Sequence, residues 1–229
     1  MRGPMKKRNA KGKVKNEKWN IFISAICTLQ FAMLLSGCAG FQVVGEIQKG
    51  HLALLKDEPQ IALAHFERAA KLNPDYLLNF SLLDQGVWTY VGRAYYAMGK
   101  LPEAKRALER GRSRYEQDHL AKLYLGLVLV RDGDRPRGLR EVGAGLKGLG
   151  DWLDDLEQTH PDGRYWDPDR RLRSEIQRSL AMIKGRDINW SEIIASGEWL
   201  GREFEEEIDL AEQDRIDDLY LNNGDDGKD

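Results

Sequence analysis

The fold is decided in the stretch WTYVGRAYYAMGKLPEAKRALERG, residues 88–111. Its apolar and small residues recur at intervals of three and four, which is the period of an α-helix. The GKLPE segment that begins at Gly99 interrupts this pattern, and glycine and proline in so short a segment are typical of a turn. The stretch therefore predicts two helices joined by a tight turn, each with an apolar face that a neighbouring element must cover.

The same spacing occurs twice more in the chain. If Gly50, Gly92 and Gly126 are aligned, small and apolar residues recur at matching positions after them: Ala62, Ala104 and Gly138, then Phe66, Leu108 and Val142, then Ala69, Gly111 and Gly145. The second and third units are offset by 34 residues, and about eight extra residues, YLLNFSLL, precede the second unit. A fixed period of this length is typical of helical repeats.

This pattern resembles the tetratricopeptide repeat, a helix-turn-helix unit of the same period. The middle unit carries the resemblance most clearly, with Trp88, Val91, Gly92, Tyr95, Gly99, Leu101, Ala104, Leu108 and Gly111 at the expected positions. The resemblance implies an all-α solenoid over residues 43–152, with about three repeats at 43–76, 85–118 and 119–152. The third unit has Gly138 and Gly145 where alanine is usual, and each glycine weakens a helix by about 1 kcal/mol.

Two more helices are predicted after the array. The segment DPDRRLRSEIQRSLAMIKG offers Asp167 as N-cap and Pro168 in the first turn, so a helix should run from there to about Lys184. A second helical pattern follows Asn189 and continues to about Leu221. We expect these helices, within residues 166–222, to cap the solenoid. The polar and charged tail, residues 223–229, is predicted to be disordered.

The N-terminal region has the features of an export signal. The first twenty residues contain eight basic residues and one acid, and the next seventeen, 21–37, contain no charge. A basic segment before a short apolar run is typical of a secretory signal, and the run is short for a span, which usually needs about 20 residues. With only two cysteines, Cys27 and Cys38, and the first inside the apolar run, a disulfide framework is not favoured.

The residues Leu35, Ser36, Gly37 and Cys38 resemble the lipobox of bacterial lipoproteins. The resemblance implies cleavage of a signal peptide, residues 1–37, attachment of a diacylglycerol to the Cys38 sulfur, and a lipidated N-terminus over residues 38–42. The alternative is an uncleaved signal anchor in which Cys38 is an ordinary apolar residue. Ala39 follows the cysteine, whereas aspartate there resembles an inner-membrane retention signal, so the outer membrane is the expected destination.

Charge disfavours nucleic acid as a partner. Because eight of the 35 basic residues and one of the 37 acidic residues lie in the first twenty, residues 38–229 carry 27 basic and 36 acidic residues. Their net charge is about −9, and proteins that bind nucleic acid usually present a basic surface.

The sequence offers no clear catalytic, cofactor or metal site. A G-x-G-x-x-G pattern at residues 143–148 lies about thirteen residues after the nearest strand-like run, which disfavours a nucleotide-binding turn. His51, His65, His119 and His160 are scattered, and the acidic groups at 151–157 and 205–218 lack the calcium-loop spacing. We therefore expect no enzyme, although the acids between Asp151 and Asp169 leave an enzymatic hypothesis open.

The resemblance also implies a concave groove lined by the first helix of each repeat. The residues mapped to it are mostly apolar: Ile47, His51, Leu54, Thr89, Arg93, Tyr96, Leu123, Leu127 and Val130. An exposed apolar strip of this kind usually marks an interaction site. The set lacks the lysine and asparagine clamp of chaperone-binding members. The alternative is that the chain's own C-terminal helix, with Trp199, Leu200 and Phe204, fills the groove.

These features predict a lipid-anchored scaffold or adaptor on the periplasmic side, which binds unidentified envelope proteins through the groove and the membrane through acylated Cys38. A small-ligand-binding component of an envelope transport system, with the groove as its pocket, is the alternative.

Overall fold

The computed structural model describes residues 40–80, 83–159, 163 and 165–223. The chain divides into two compact units, Met1–Gln42 and Val43–Asp229. Of the first unit only residues 40–42 are described, and they are helical. The elements on which the fold depends lie in the second unit.

The described residues are mostly helical, which confirms the expected all-α class at this level. A first helix, α1, covers residues 40–55. It is followed by α2 (Pro59–Leu72), β1 (Leu77–Phe80), β2 (Leu83–Gly86), α3 (Val87–Ala97), α4 (Leu101–Arg114), α5 (His119–Arg131), α6 (Arg135–Thr159), α7 (Arg171–Lys184) and α8 (Trp190–Asn223).

The first six helices form three hairpins, α1–α2, α3–α4 and α5–α6, which cross at glycines in equivalent positions. A Cβ added to Gly50 would lie 2.3 Å from the Phe66 ring, and one added to Gly92 would lie 2.4 Å from Leu108. At Gly126 the added atom would lie 2.5 Å from the backbone nitrogen of Val142. The missing side chain allows each helix pair to approach closely, and the three hairpins share one packing arrangement.

The segment between the first two hairpins contains a feature that the all-α prediction missed. Strands β1 and β2 pair antiparallel, with Leu77 opposite Gly86 and Phe80 opposite Leu83. Leu83 is buried, and the Val87 backbone N–H donates to the Tyr76 carbonyl where the ribbon meets α3. Residues 77–80 and 83–86 thus form a short ribbon beside the hairpins instead of lengthening a helix.

Helix α6 is longer than the third repeat predicts, because it continues past residue 152 to Thr159. Leu153 and Leu156 are buried along this extension and continue the apolar face of Leu149 in the core. The acids Asp151 and Asp154, on which the enzymatic hypothesis rests in part, therefore lie on helix α6.

Helix α7 begins at Arg171, later than the predicted N-cap at Asp167. The Asp167 carboxylate nevertheless accepts hydrogen bonds from the backbone N–H groups of Leu172 (2.8 Å) and Arg173 (3.0 Å). Asp167 itself has a positive φ of 51°. It thus supplies the capping acceptor from four residues before the helix, across an intervening turn.

Candidate functional site

The predicted lipobox, Leu35 to Cys38, lies outside the described residues, as do His160 and residues 224–229. Within the part of the chain that the structure describes, no helix is both long enough and apolar enough to cross a bilayer. Lipidation at Cys38 stays a prediction.

The predicted groove residues lie in the interior of the second unit. Eight of the nine are at most 8% exposed, and only Leu54 is partly exposed. The buried eight are Ile47, His51, Thr89, Arg93, Tyr96, Leu123, Leu127 and Val130. The partner-binding strip expected from sequence is therefore buried in this structure. Helix α8 covers the part that contains His51, Arg93, Tyr96 and Leu127. Ile47 instead packs in the core of α1, α2 and α3, and the Leu123 backbone packs on Gly145 of α6.

Two glycines bring α8 close to the hairpins. A Cβ added to Gly197 would lie 2.7 Å from a Leu127 methyl group, and one added to Gly201 would meet the Tyr124 hydroxyl. Between and beyond them, Leu200 and Phe204 are fully buried. Trp199, which the sequence placed with these two, is only partly buried and stacks with Arg171 of α7 at 5.5 Å.

Charged contacts join the same face of α8 to the groove. Glu205 contacts both His51 of α1 and Arg93 of α3. Arg93 Nη2 also donates to the Gly201 carbonyl at 3.0 Å, and the guanidinium lies 4.8 Å from the Tyr124 ring centre. Glu205 and Arg93 are 2% and 4% exposed, so this ion pair is almost fully removed from water. A buried pair of this kind is costly to break, because one charge is left without its partner.

A second carboxylate contact lies about two turns earlier on α8. Glu198 accepts a hydrogen bond from the Tyr96 hydroxyl (2.6 Å) and pairs with Arg131 at the end of α5. Burial and this hydrogen bond raise the pKa of Tyr96 well above its ordinary value, so the hydroxyl stays a donor at physiological pH. Each of the three hairpins thus contributes at least one polar contact to α8.

Beneath the groove, Asp118 ties the second and third hairpins together. Its fully buried carboxylate accepts from the Thr89 hydroxyl (2.6 Å), the Gly86 N–H (2.8 Å) and, as N-cap of α5, the Ala121 N–H (2.8 Å). Burial raises the pKa of Asp118 to about 6, while these donors and nearby Arg93 act in the opposite direction. Thr89 is therefore a structural donor and not a partner contact.

One part of the groove stays open. A cavity of about 330 Å³ lies where α8 passes the ends of α1, α3 and α5. Its wall combines apolar, aromatic and charged groups: Leu54, Leu55, Asp57, Arg93, Tyr96, Ala97, Tyr124, Arg131, Glu198, Arg202 and Glu205. Much of the charge is already paired across the cavity, between α8 and the hairpins.

Among the described residues, no group of three or more histidine, cysteine, aspartate or glutamate side chains is placed to hold a metal ion. The glycines of the G-x-G-x-x-G pattern lie inside α6, where Gly145 packs on the Leu123 backbone and Gly148 on the His119 ring. They serve helix packing rather than a phosphate-binding turn.

Comparison with protein-family models, curated proteins and solved structures gives no match to this chain.

Sequence reasoning missed Glu198 and Glu205, the two residues that join α8 to the groove. The available signal was Gly197 and Gly201, because small residues four apart on one helical face often mark a close crossing. Glu198 and Glu205 lie on that face and pair with Arg131 and Arg93 of the hairpins, and these pairings follow only from the folded structure.

Proposed function

We propose that the chain is a bacterial lipoprotein whose acyl-anchored Cys38 holds a scaffold of tetratricopeptide type on the periplasmic side of the envelope, with the outer membrane as the favoured location. The lipobox resemblance supports the anchor. The shared glycine crossing of the three hairpins supports the repeat type. Anchoring confines the scaffold to a surface and raises its effective concentration near membrane partners.

The observation that carries the scaffold role is the filled groove. A peptide could enter only by displacing α8, and this would expose Leu200 and Phe204, each of which loses about 2–3 kcal/mol of burial energy. It would also separate the Arg93–Glu205 pair, whose disruption costs about 3–5 kcal/mol. We therefore propose that envelope partners bind the composite surface of α8 and the hairpin edges, at the open end lined by Leu55, Arg131 and Arg202.

Cross-linking in intact cells tests this proposal. The tagged full-length protein is cross-linked, the envelope is solubilised, and what co-purifies is identified. Arg202→Glu changes an exposed residue at the open end, and Lys147→Glu, on exposed α6 surface, is the matched control. A discrete partner retained by the control and lost with Arg202→Glu is the expected result. Recovery of the protein alone in every sample would contradict an adaptor role.

The anchor is tested separately. Cys38→Ala should abolish fatty-acid labelling and leave a longer precursor. Labelling that persists in this variant would contradict lipidation at Cys38.

A small-ligand-binding role is the second candidate, because the open cavity of about 330 Å³ combines two tyrosines with arginine side chains. Ligand pockets typically pair apolar walls with a few polar groups. A true ligand would raise the melting temperature by mass action, whereas a scaffold alone would not respond to the same compounds.

A further inference from the structure

The turn between α1 and α2 has an aspartate where the other two hairpins have glycine. Asp57, Gly99 and Gly133 each lie seven residues after the glycine at which their hairpin crosses, and their φ angles are 58°, 71° and 97°. Glycine adopts this left-handed region freely, whereas a residue with a Cβ is strained there. The first hairpin therefore keeps a carboxylate at a position that favours glycine, and backbone strain of this kind is concentrated at binding and active sites.

The Asp57 side chain lines the open cavity of about 330 Å³, next to the end of α1. Its carboxylate makes no ion pair or hydrogen bond with another residue that the structure describes. The neighbouring Lys56 and Glu58 are exposed but do not line the cavity. Contacts within the described fold therefore do not explain why this turn has a carboxylate.

Arg202 of α8 supplies the opposite charge to the same cavity. Six charged side chains line it, and four of them form the two ion pairs that join α8 to α3 and α5. The Arg202 guanidinium is exposed and, like the Asp57 carboxylate, makes no ion pair or hydrogen bond within the described part of the chain. The lining is thus neutral overall, with one anion and one cation left unpaired on separate elements.

The rest of the cavity wall is largely apolar. Leu54 and Leu55 at the end of α1 and Ala97 at the end of α3 line it together with Tyr96 and Tyr124. The two tyrosine rings pack edge to face, with their centres 5.6 Å apart. The volume lies near the lower end of the range of about 300–1,000 Å³ for ligand pockets. Such a wall with two opposite unpaired charges is complementary to a small ligand that has an apolar body, a cationic group and an anionic group.

We propose that the cavity binds a zwitterion of amino-acid or dipeptide size, with its ammonium group on Asp57 and its carboxylate on Arg202. A guanidinium can bind a carboxylate through two parallel hydrogen bonds, and an aspartate accepts from an ammonium group. The apolar side chains of the ligand pack against the leucines and the tyrosine rings. This ligand class rests on the small-ligand role proposed above, and it does not depend on an anchor at Cys38.

Calorimetric titration of the full-length protein tests both charges. The probe is the dipeptide leucyl-leucine, which has both terminal charges. It is compared with the N-acetylated dipeptide, which lacks the ammonium group, and with the dipeptide amide, which lacks the carboxylate. The wild type should bind the zwitterion about tenfold or more tightly than either blocked form, because each blocked form loses a hydrogen bond between charged groups.

Two variants assign the two charges to their residues. Asp57→Asn should bind the acetylated dipeptide and the zwitterion equally and still bind the amide more weakly, whereas Arg202→Gln should show the reverse pattern. Lys147→Gln changes an exposed residue that does not line the cavity, and this control should bind all three compounds like the wild type.

Asp57→Gly separates a binding role from a structural one. Glycine adopts the φ of this turn without strain, so the melting temperature should equal or exceed that of the wild type. The affinity for leucyl-leucine should nevertheless fall about tenfold. A lower melting temperature would show that the carboxylate stabilises the fold, and would overturn its assignment to a ligand.

Equal affinity of the wild type for all three compounds would overturn the zwitterion and leave the cavity as a small-ligand site of another class. No binding of any of them would also overturn the zwitterion. The melting-temperature screen with other compounds then decides whether the small-ligand role fails as well, and cross-linking tests the scaffold role separately.

Discussion

Two sides of the three-hairpin stack reverse the usual distribution of polar and apolar groups in different ways. Under α8, the charged side chains of Arg93 and Glu205 are buried, whereas on the outer face of the first hairpin the apolar Leu52 and Ile61 are exposed. Buried charges are rare unless paired, and single exposed leucines are common, so the groove is the more informative exception. The difference shows that α8 covers charged groups of α1 and α3 within the chain, whereas the first hairpin leaves apolar side chains exposed to solvent.

The largest expected effect comes from removing a large buried side chain of α8. Phe204→Ala should lower the free energy of unfolding by about 3–5 kcal/mol, because the ring is fully buried against Trp152 and its neighbours. Leu210→Ala is the matched change on the same helix, at an exposed position. The Leu210→Ala change should alter the free energy of unfolding by less than about 0.5 kcal/mol. Urea denaturation followed by circular dichroism measures both; equal values would mean that α8 is not packed in the groove.

The buried ion pair is the next test. Arg93→Met should cost about 3 kcal/mol, because the buried Glu205 then loses its guanidinium partner. The double variant Arg93→Met, Glu205→Met should recover part of that loss, since no isolated charge remains. Denaturation of the singles and the double gives the coupling free energy. Strict additivity would show that the two side chains do not interact in solution.

Asp118 makes a pH-dependent contribution below the groove. Its folded-state pKa of about 6 lies above the ordinary value of 3.8, so the folded chain retains a proton that the unfolded chain releases in this interval. The stabilisation is complete below pH ~4 and is lost as the pH rises through about 6, with an upper limit of about 3 kcal/mol. Asp118→Asn removes the titration, so the wild type should lose stability relative to this variant over the interval. A constant difference between the two proteins would contradict the assignment.

The smallest effect is expected on the outer face. Leu52→Gln should change the free energy of unfolding by less than about 0.5 kcal/mol, because the side chain is already half exposed. Ile47→Gln, on the buried face of the same helix, should cost several times more, since it places an amide in the core. A large loss for Leu52→Gln would show that the outer face is covered within the folded chain.

The helical class and the three glycine crossings could be predicted because both depend on local spacing. Gly92 and Leu108 are sixteen residues apart in one hairpin, and the period that aligns them is visible in the sequence. The ribbon at residues 77–86 could not be predicted in the same way. Its strands are four residues each, too short for alternation to separate them from a loop.

The sequence predicts which residues belong to the groove, but it does not predict what occupies the groove. The residues of the groove follow from the repeat pattern, but their occupant depends on contacts between Arg93 and Gly201, 108 positions apart. Periodicity contains no information on a pairing of that range. The apolar face with Leu200 and Phe204 indicated a helix that must pack somewhere, and the glycines at 197 and 201 and the carboxylates at 198 and 205 determine where.

Proximity between Gly197 and Leu127 in solution tests the central claim, that α8 fills the groove, most directly. In a deuterated full-length protein with protonated leucine methyl groups and glycine α-positions, nuclear Overhauser effects should connect the Leu127 methyl groups with the Gly197 α-protons, since the structure packs these groups against each other. Strong cross-peaks, together with slow amide exchange over residues 193–205, are the predicted result. If the cross-peaks are absent and the amides of residues 193–205 exchange fast, α8 does not fill the groove. The groove would then be open to an external partner, which contradicts the central claim.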